Sequence, residues 1–306
     1  MKTFVVTGGA GFIGSHLCEE LANLGNKVYS IDDYSAGYKR NLKGLDVIPL
    51  EGDVTMEYTK DLIKSLNPDG LFHQAASKKN ICLNNPKRDL EVNVVGAFNM
   101  ASICRDLDIP MVHASTGSVY GEAVRCQDEE HPTNPVSYYG ISKLAGEKYS
   151  RFIANAKILR YFHVIGGRQE SSDDRGGVLA IWMRRLEQGL PIIVYGDGTQ
   201  ERSFTYVKDV VKANILAMEK GDGIYNVASG HLYTLNDMVE GLRKFYPNMQ
   251  VEYQDWLPGD VKKFDVDNTR ICNLGMKNWE TLDEILECMM KFIYTRRRMK
   301  TLFDSP

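Results

Sequence analysis

Two short strings in this chain have the residue types and spacing for chemistry. Tyr139-Gly140-Ile141-Ser142-Lys143 sets a phenol and an ammonium four residues apart, so on a helix they share one face. A phenol with an ordinary pKa of about 10 is a poor base at neutral pH unless its phenolate is stabilised. A lysine one helical turn away can supply that charge. Thr7-Gly8-Gly9-Ala10-Gly11-Phe12-Ile13-Gly14 is a glycine-rich turn that can hold a dinucleotide pyrophosphate. Between them, Ser115-Thr116-Gly117-Ser118-Val119-Tyr120-Gly121 brings a hydroxyl, Thr116, to the end of an apolar run, where it can orient a reacting hydroxyl. Together the three strings predict an enzyme that moves hydride and a proton at a carbinol carbon. Thr116, Tyr139 and Lys143 are its candidate catalytic residues.

Such groups need a frame that brings them to one edge. Strand-like runs at Thr3–Thr7, Lys27–Ile31, Val47–Leu50, Gly70–His73 and Met111–His113 alternate with helix-like stretches, including Ile13–Leu24 and Pro86–Arg105. Repeated strand–helix–strand units predict an α/β fold, a doubly wound parallel sheet of the Rossmann kind. A helix from Tyr139 to about Asn155 and a strand over Ala156–Phe162 continue it. Gln169–Gly177 reads as a polar loop and Phe204–Met218 as a strand feeding a helix. Residues 1–162, rejoined by about 204–228, are expected to form the dinucleotide-binding domain. Residues 163–203 and 229–306 are expected to form a smaller C-terminal α/β lobe that binds substrate.

The glycine turn satisfies G-x-G-x-x-G directly after a strand and at the start of a helix. Glycine allows the tight turn and lets backbone N–H groups approach the pyrophosphate. Gly8, Gly11, Phe12, Ile13 and Gly14 are therefore expected to touch the cofactor. Asp32 ends the second strand, where a carboxylate accepts from both adenine-ribose hydroxyls and repels a 2′-phosphate. The expected cofactor is NAD and not NADP. In Gly52-Asp53-Val54, Asp53 is placed to reach the adenine amino group, and Val54 is expected to touch the cofactor beside it.

Composition excludes several other functions. With 306 residues, 43% hydrophobic and 25% charged, the chain suits a nucleotide-binding core with an appended lobe. A net charge of -3 gives no reason to expect nucleic acid as a partner, and no apolar run is long enough to span a bilayer. Six scattered cysteines without a C-x-x-C pair read as free thiols in a reducing compartment, so a cytoplasmic location and no bound metal are expected.

The ordered strings resemble the extended short-chain dehydrogenase/reductases, specifically the NAD-dependent nucleotide-sugar epimerase/dehydratase family. The likeness covers nearly the whole chain. It adds His73-Gln74-Ala75-Ala76, Asn93-Val94-Val95-Gly96, Leu159-Arg160-Tyr161-Phe162, Gly196-Asp197-Gly198 with Arg202, Tyr225-Asn226-Val227 and Pro258-Gly259-Asp260 to the motifs above. The resemblance implies that Tyr139 takes a proton from a sugar 4-hydroxyl while hydride leaves C4 for NAD. Lys143 would hold the cofactor ribose and lower the tyrosine pKa, Thr116 would bond the substrate, and Asn93, near the cofactor, would support the active-site helix. It also implies a homodimer through Pro86–Arg105 and Tyr139–Asn155.

Departures from the family pattern narrow the reaction. Members that eliminate water carry an acid/base pair, typically Asp-Glu, directly after the threonine; here Gly117-Ser118 stands there. Decarboxylating members usually keep a glutamate at the second position. The implied activity is 4-epimerisation through a transient 4-keto sugar, with UDP-glucose and UDP-galactose as the default pair. A uronic acid epimerase, an enzyme of GDP-, CDP- or dTDP-sugars and a non-catalytic NAD sensor stay as alternatives. On the substrate side His163 replaces the usual asparagine, Leu257 replaces one diphosphate arginine, and Arg202 is kept at the other. Lys262 or Lys263 is a candidate replacement for the lost cation; Lys78 and Lys79 read as solvated, with contact to a substrate phosphate or carboxylate as the alternative. Asp260 is expected to bind substrate, and the Phe264 ring to border the sugar 2-substituent and disfavour N-acetylated sugars.

Overall fold

The computed structural model describes residues 1–77, 79–122, 126–172, 176–256 and 265–303. In chain order the first half runs β1 (Thr3–Thr7), α1 (Phe12–Asn23), β2 (Lys27–Asp32), β3 (Ile48–Glu51), α2 (Glu57–Leu66), β4 (Gly70–His73), α3 (Lys79–Asn84), α4 (Pro86–Leu90), α5 (Ala97–Leu107), β5 (Met111–Thr116), α6 (Tyr138–Ala154) and β6 (Lys157–Tyr161). The second half adds β7 (Val164–Ile165), α7 (Val178–Glu187), β8 (Ile192–Tyr195), β9 (Glu201–Arg202), β10 (Thr205–Tyr206), α8 (Val207–Lys220), β11 (Ile224–Val227), β12 (Tyr233–Thr234), α9 (Leu235–Arg243), β13 (Val251–Gln254), α10 (Thr269–Leu274) and α11 (Leu282–Phe303).

Side-chain alternation explains why the sheet is covered on both faces. In β1, Phe4 and Val6 join a core with Leu17, Cys18 and Leu21 of α1 and Val210, Val211 and Ala213 of α8. Val5 between them joins the opposite core, with Ile63 of α2 and Met100, Ala101 and Ile103 of α5. Leu71 and Phe72 of β4 divide in the same way, as do Met111 and Val112 of β5. The result is a seven-stranded parallel sheet in the order β11-β6-β5-β4-β1-β2-β3. Strand order reverses between β1 and β4, which opens a crevice at their carboxyl ends. The second lobe has its own core, built from Leu179, Trp182 and Met183 of α7, Val194 of β8, Met238 and Leu242 of α9, and Ile285 and Leu286 of α11.

Two differences from the sequence expectation bear on the site. Strand β5 runs three residues past His113 to Thr116, so Thr116 is the last strand residue. The long helix expected over Pro86–Arg105 is interrupted by a π-helical turn, Glu91–Gly96, between α4 and α5. Gly96 packs on Val54, where a Cβ would come within 2.6 Å of Val54 Cγ2. Local helix propensity does not encode that turn; the partners gathered by Asn93 within it do.

Candidate active site

A cleft of about 580 Å³ lies at the carboxyl edge of the sheet. Gly8, Gly11, Phe12, Ile13, Gly14, Asp32, Asp53, Val54, Tyr139 and Lys143 all line it, so the two ends expected from sequence share one cavity. The glycine turn is shaped for a close ligand. Gly8 has φ +67°, and a Cβ there would lie 2.6 Å from the Ala75 backbone nitrogen. A Cβ on Gly14 would collide with the Gly8 carbonyl oxygen. Helix α1 begins from Gly11 with no side-chain cap, leaving its first amides for a ligand at its positive end. A dinucleotide pyrophosphate fits this cradle.

Asp32 is held rigidly beside it. Its carboxylate accepts from the Ala10 N–H at 2.9 Å and the Tyr34 N–H at 2.8 Å. Burial raises its pKa, and those two amides act in the opposite direction. Asp53 differs from expectation. Its Oδ1 accepts from the Thr55 backbone and hydroxyl, and its Oδ2 from Arg88 Nη2 at 2.7 Å. Burial works to raise this carboxyl, but Thr55 and Arg88 outweigh it and leave the pKa lowered. An adenine amino group would share a carboxylate that already has partners.

Helix α6 presents Tyr139 and Lys143 to the cleft. Ser137 caps it by accepting from the Gly140 N–H at 3.1 Å. Thr116 stands near enough to Tyr139 to act on its phenol, and it donates to Ser118 Oγ at 3.2 Å. Burial pushes the Tyr139 phenol up to about 12, with the Thr116 hydroxyl acting against it. The Lys143 ammonium donates to the Ala114 carbonyl at 2.6 Å. Burial also moves the lysine down to about 8, while Glu147 pulls it back upward.

Asn93, expected to bind the cofactor, does not line the cleft. Its Oδ1 accepts from the Ser77 N–H at 2.9 Å; its Nδ2 donates to Asp89 Oδ1 at 2.7 Å and Ser142 Oγ at 3.1 Å. It therefore ties the π-helical turn to α6 and to the segment after β4. His163 and Arg202 also lie outside the lining of the cleft. His163 follows β6 with φ 38° and its ring edge against Phe204, and Arg202 Nη1 donates to the Glu201 carbonyl at 2.9 Å. Asp260, Phe264, Leu257, Lys262 and Lys263, with Lys78 and the Lys79 side chain, lie outside the described residues.

Three contributors escaped the sequence reading. Arg88 lines the cleft, and Gln74 and Tyr161 line it while bonded to each other and to Asn214. Behind Lys143, Glu147 receives Arg160 through Nε at 3.0 Å and Nη2 at 2.8 Å, both residues almost fully buried. The signal was present: Tyr139, Lys143 and Glu147 are spaced by four, and an arginine inside an apolar strand needs an acid. Among the described residues no cluster of His, Cys, Asp and Glu is suited to a metal, and no helix is long and apolar enough to cross a membrane.

Comparison with known proteins gives the family. The profile of the NAD dependent epimerase/dehydratase family matches residues 4–228. The chain belongs to that family. A UDP-glucose 4-epimerase from Thermotoga maritima, solved with UDP-glucose, superposes with a TM-score of 0.90 at 32% identity, over 96% of this chain and 99% of that one. A UDP-N-acetylglucosamine 4-epimerase from Methanobrevibacter ruminantium, in complex with UDP-N-acetylmuramic acid, gives 0.90 at 30% identity over 96% and 99%. A UDP-glucose 4-epimerase from Thermus thermophilus, solved with NAD, gives 0.83 at 29% identity over 94% and 99%. The α/β fold with a Rossmann sheet and a smaller C-terminal lobe is thus the fold of these epimerases, and the NAD-binding frame is shared with a relative that holds NAD.

The lowered Lys143 pKa is measurable. A lysine moved down on folding loses its proton between about 8 and the ordinary 10.5 while the unfolded chain keeps it. The burial penalty on its charge is therefore present in full below that window, and stability contributed by this group rises with pH across it. In ligand-free protein, lysine side-chain NMR should show one resonance titrating near pH 8 that vanishes in Lys143→Met. Titration of that resonance at the ordinary value would contradict the geometry.

Proposed function

We propose that this family member is an NAD-using nucleotide-sugar 4-epimerase, with UDP-glucose and UDP-galactose as its default pair. The observation that supports epimerisation is the ground beside Thr116. A Cβ at Gly117 would strike the Phe162 ring, so position 117 has no room for a carboxylate. Ser118 is engaged by Thr116 through both its N–H and its hydroxyl. An acid/base pair for eliminating water has no place at these two positions.

Bound in the cleft, NAD supplies a reversible hydride acceptor. The chain supplies proton handling and alignment. Thr116 and Tyr139 are neighbours, so a sugar 4-hydroxyl that reaches them meets an orienting hydroxyl and a proton acceptor together. In the free chain Tyr139 keeps its proton; it becomes a base when positive charge arrives beside it. Lys143, one turn along α6, can supply that charge by leaving the Ala114 carbonyl for the cofactor ribose. The 4-keto sugar then turns in the pocket and is reduced from its other face, with Tyr139 returning the proton.

The test is a panel of UDP-, GDP-, CDP- and dTDP-sugars incubated with the enzyme. Interconversion of 4-epimers with unchanged mass is expected, and a product lighter by water or carbon dioxide would end this reading. Tyr139→Phe should fold and bind NAD yet lose about 10²–10⁴ in turnover, the range for positioned acid–base groups. A near-normal rate would assign the proton to another group.

NAD preference is supported by Asp32, whose buried carboxylate would face a 2′-phosphate. Asp32→Asn keeps the size and removes the charge, so the ratio of NAD to NADP affinity should fall, read by calorimetry. An unchanged ratio would move the discrimination elsewhere.

A homodimer fits the outer face of α5 and α6. Phe98 and Tyr149 pack edge to face at 5.8 Å, yet both stay exposed beside Ile141 and Phe152, the latter 93% exposed. Light scattering should give twice the mass of the chain, and Phe152→Glu should shift it toward the monomer. A cytosolic location is supported by free thiols at all six cysteines.

A further inference from the structure

Arg88 joins three segments that are far apart in sequence. Its Nη2 donates to Asp53 Oδ2 at 2.7 Å, just past β3, and to Asp33 Oδ2 at 3.2 Å, just past β2. Its own backbone N–H is held by the Asn85 cap of α4 at 3.1 Å, and Glu91 Oε2 lies 3.7 Å from Nη1. Arg88, Asp33, Asp53 and Asn85 line the same cleft as Asp32. If the cofactor is NAD, on which this inference rests, that end of the cleft takes the adenosine.

We propose that Arg88 is a latch across the adenosine end, which sets how long NAD(H) stays bound. Three features suit it to the task. A guanidinium is planar and packs on a purine face, so it covers adenine as well as bonding carboxylates. Its two anchors are charge-assisted, yet the side chain is 29% exposed, so water screens them and the latch can open. Asp33 and Asp53 also neutralise it. Together with Asp32 they set three carboxylates around Arg88 at this end of the lining, so the arginine is no free partner for a 2′-phosphate. An enzyme that restores its cofactor in each turnover gains from slow release.

The experiment compares wild type with Arg88→Met, which keeps length and loses charge, and with Arg88→Lys. Stopped-flow NADH fluorescence gives release rates; calorimetry with AMP, ADP-ribose and NMN locates the loss. Arg88→Met should release NADH roughly tenfold faster, the scale of one charge-assisted bond, and weaken AMP and ADP-ribose similarly while NMN is unaffected. Arg88→Lys should recover part of the loss, and the melting temperature of ligand-free protein should not change. Unchanged release overturns the latch, and so does equal weakening of NMN, or a lower ligand-free melting temperature without rescue by lysine. Wild type that binds neither NADH nor ADP-ribose overturns the NAD reading itself, and that result precedes any variant.

Discussion

The buried ion pair between Glu147 and Arg160 is the interaction around which the reactive face is arranged. It joins α6, which carries Tyr139 and Lys143, to β6, which lies between β11 and β5 in the sheet. Charges taken out of water demand full pairing, and removing one partner of a buried pair typically costs about 3–5 kcal/mol. Here the pairing is complete. Arg160 also donates to the Tyr120 hydroxyl at 2.8 Å, and Ser115 donates to Glu147 at 2.5 Å. Tyr120 passes the connection to Asn226 at 2.7 Å, whose backbone N–H and side chain reach Glu129, Gln127 and Asp267. One polar chain thus runs from behind the reactive lysine across β6 and β11 to the loops beyond.

This network also bears on the protonation states in the cleft. Burial alone disfavours charge on Lys143, and Glu147 one turn further along the helix acts against it. The lysine is left poised near the working range of pH, while Tyr139 rests protonated. Lys143 is restrained by a neutral contact, the Ala114 carbonyl. Such a contact is exchangeable when a ligand brings its own hydroxyls.

Legibility in the sequence followed the range of each interaction. The glycine turn, Asp32 and the Tyr139–Lys143 pair were readable because their chemistry depends on spacing within a few residues of one turn or helix. The alternating strands were readable for the same reason, and β4 has the expected bounds. Asn93 was recognised by its motif, but its place behind the cleft depends on Ser77, Asp89 and Ser142, none of which can be identified as its partner from the string. The π-helical turn around it was equally hidden, since the weak helix formers Val92 to Gly96 do not say whether the helix bends, breaks or widens there.

By itself the sequence determined the parallel frame, the glycine turn and the shared helix face of Tyr139 and Lys143, because backbone conformation and side-chain periodicity are local properties. Only the tertiary structure decided what each charge faces. Arg88 meets Asp33 and Asp53 across 55 and 35 residues of chain, Arg160 meets Glu147 between a strand and a helix, and Lys143 rests on a carbonyl 29 residues away. Coulomb attraction and hydrogen bonding act through space at a few ångströms. Until the sheet brings its strand ends together, those distances do not exist to be read.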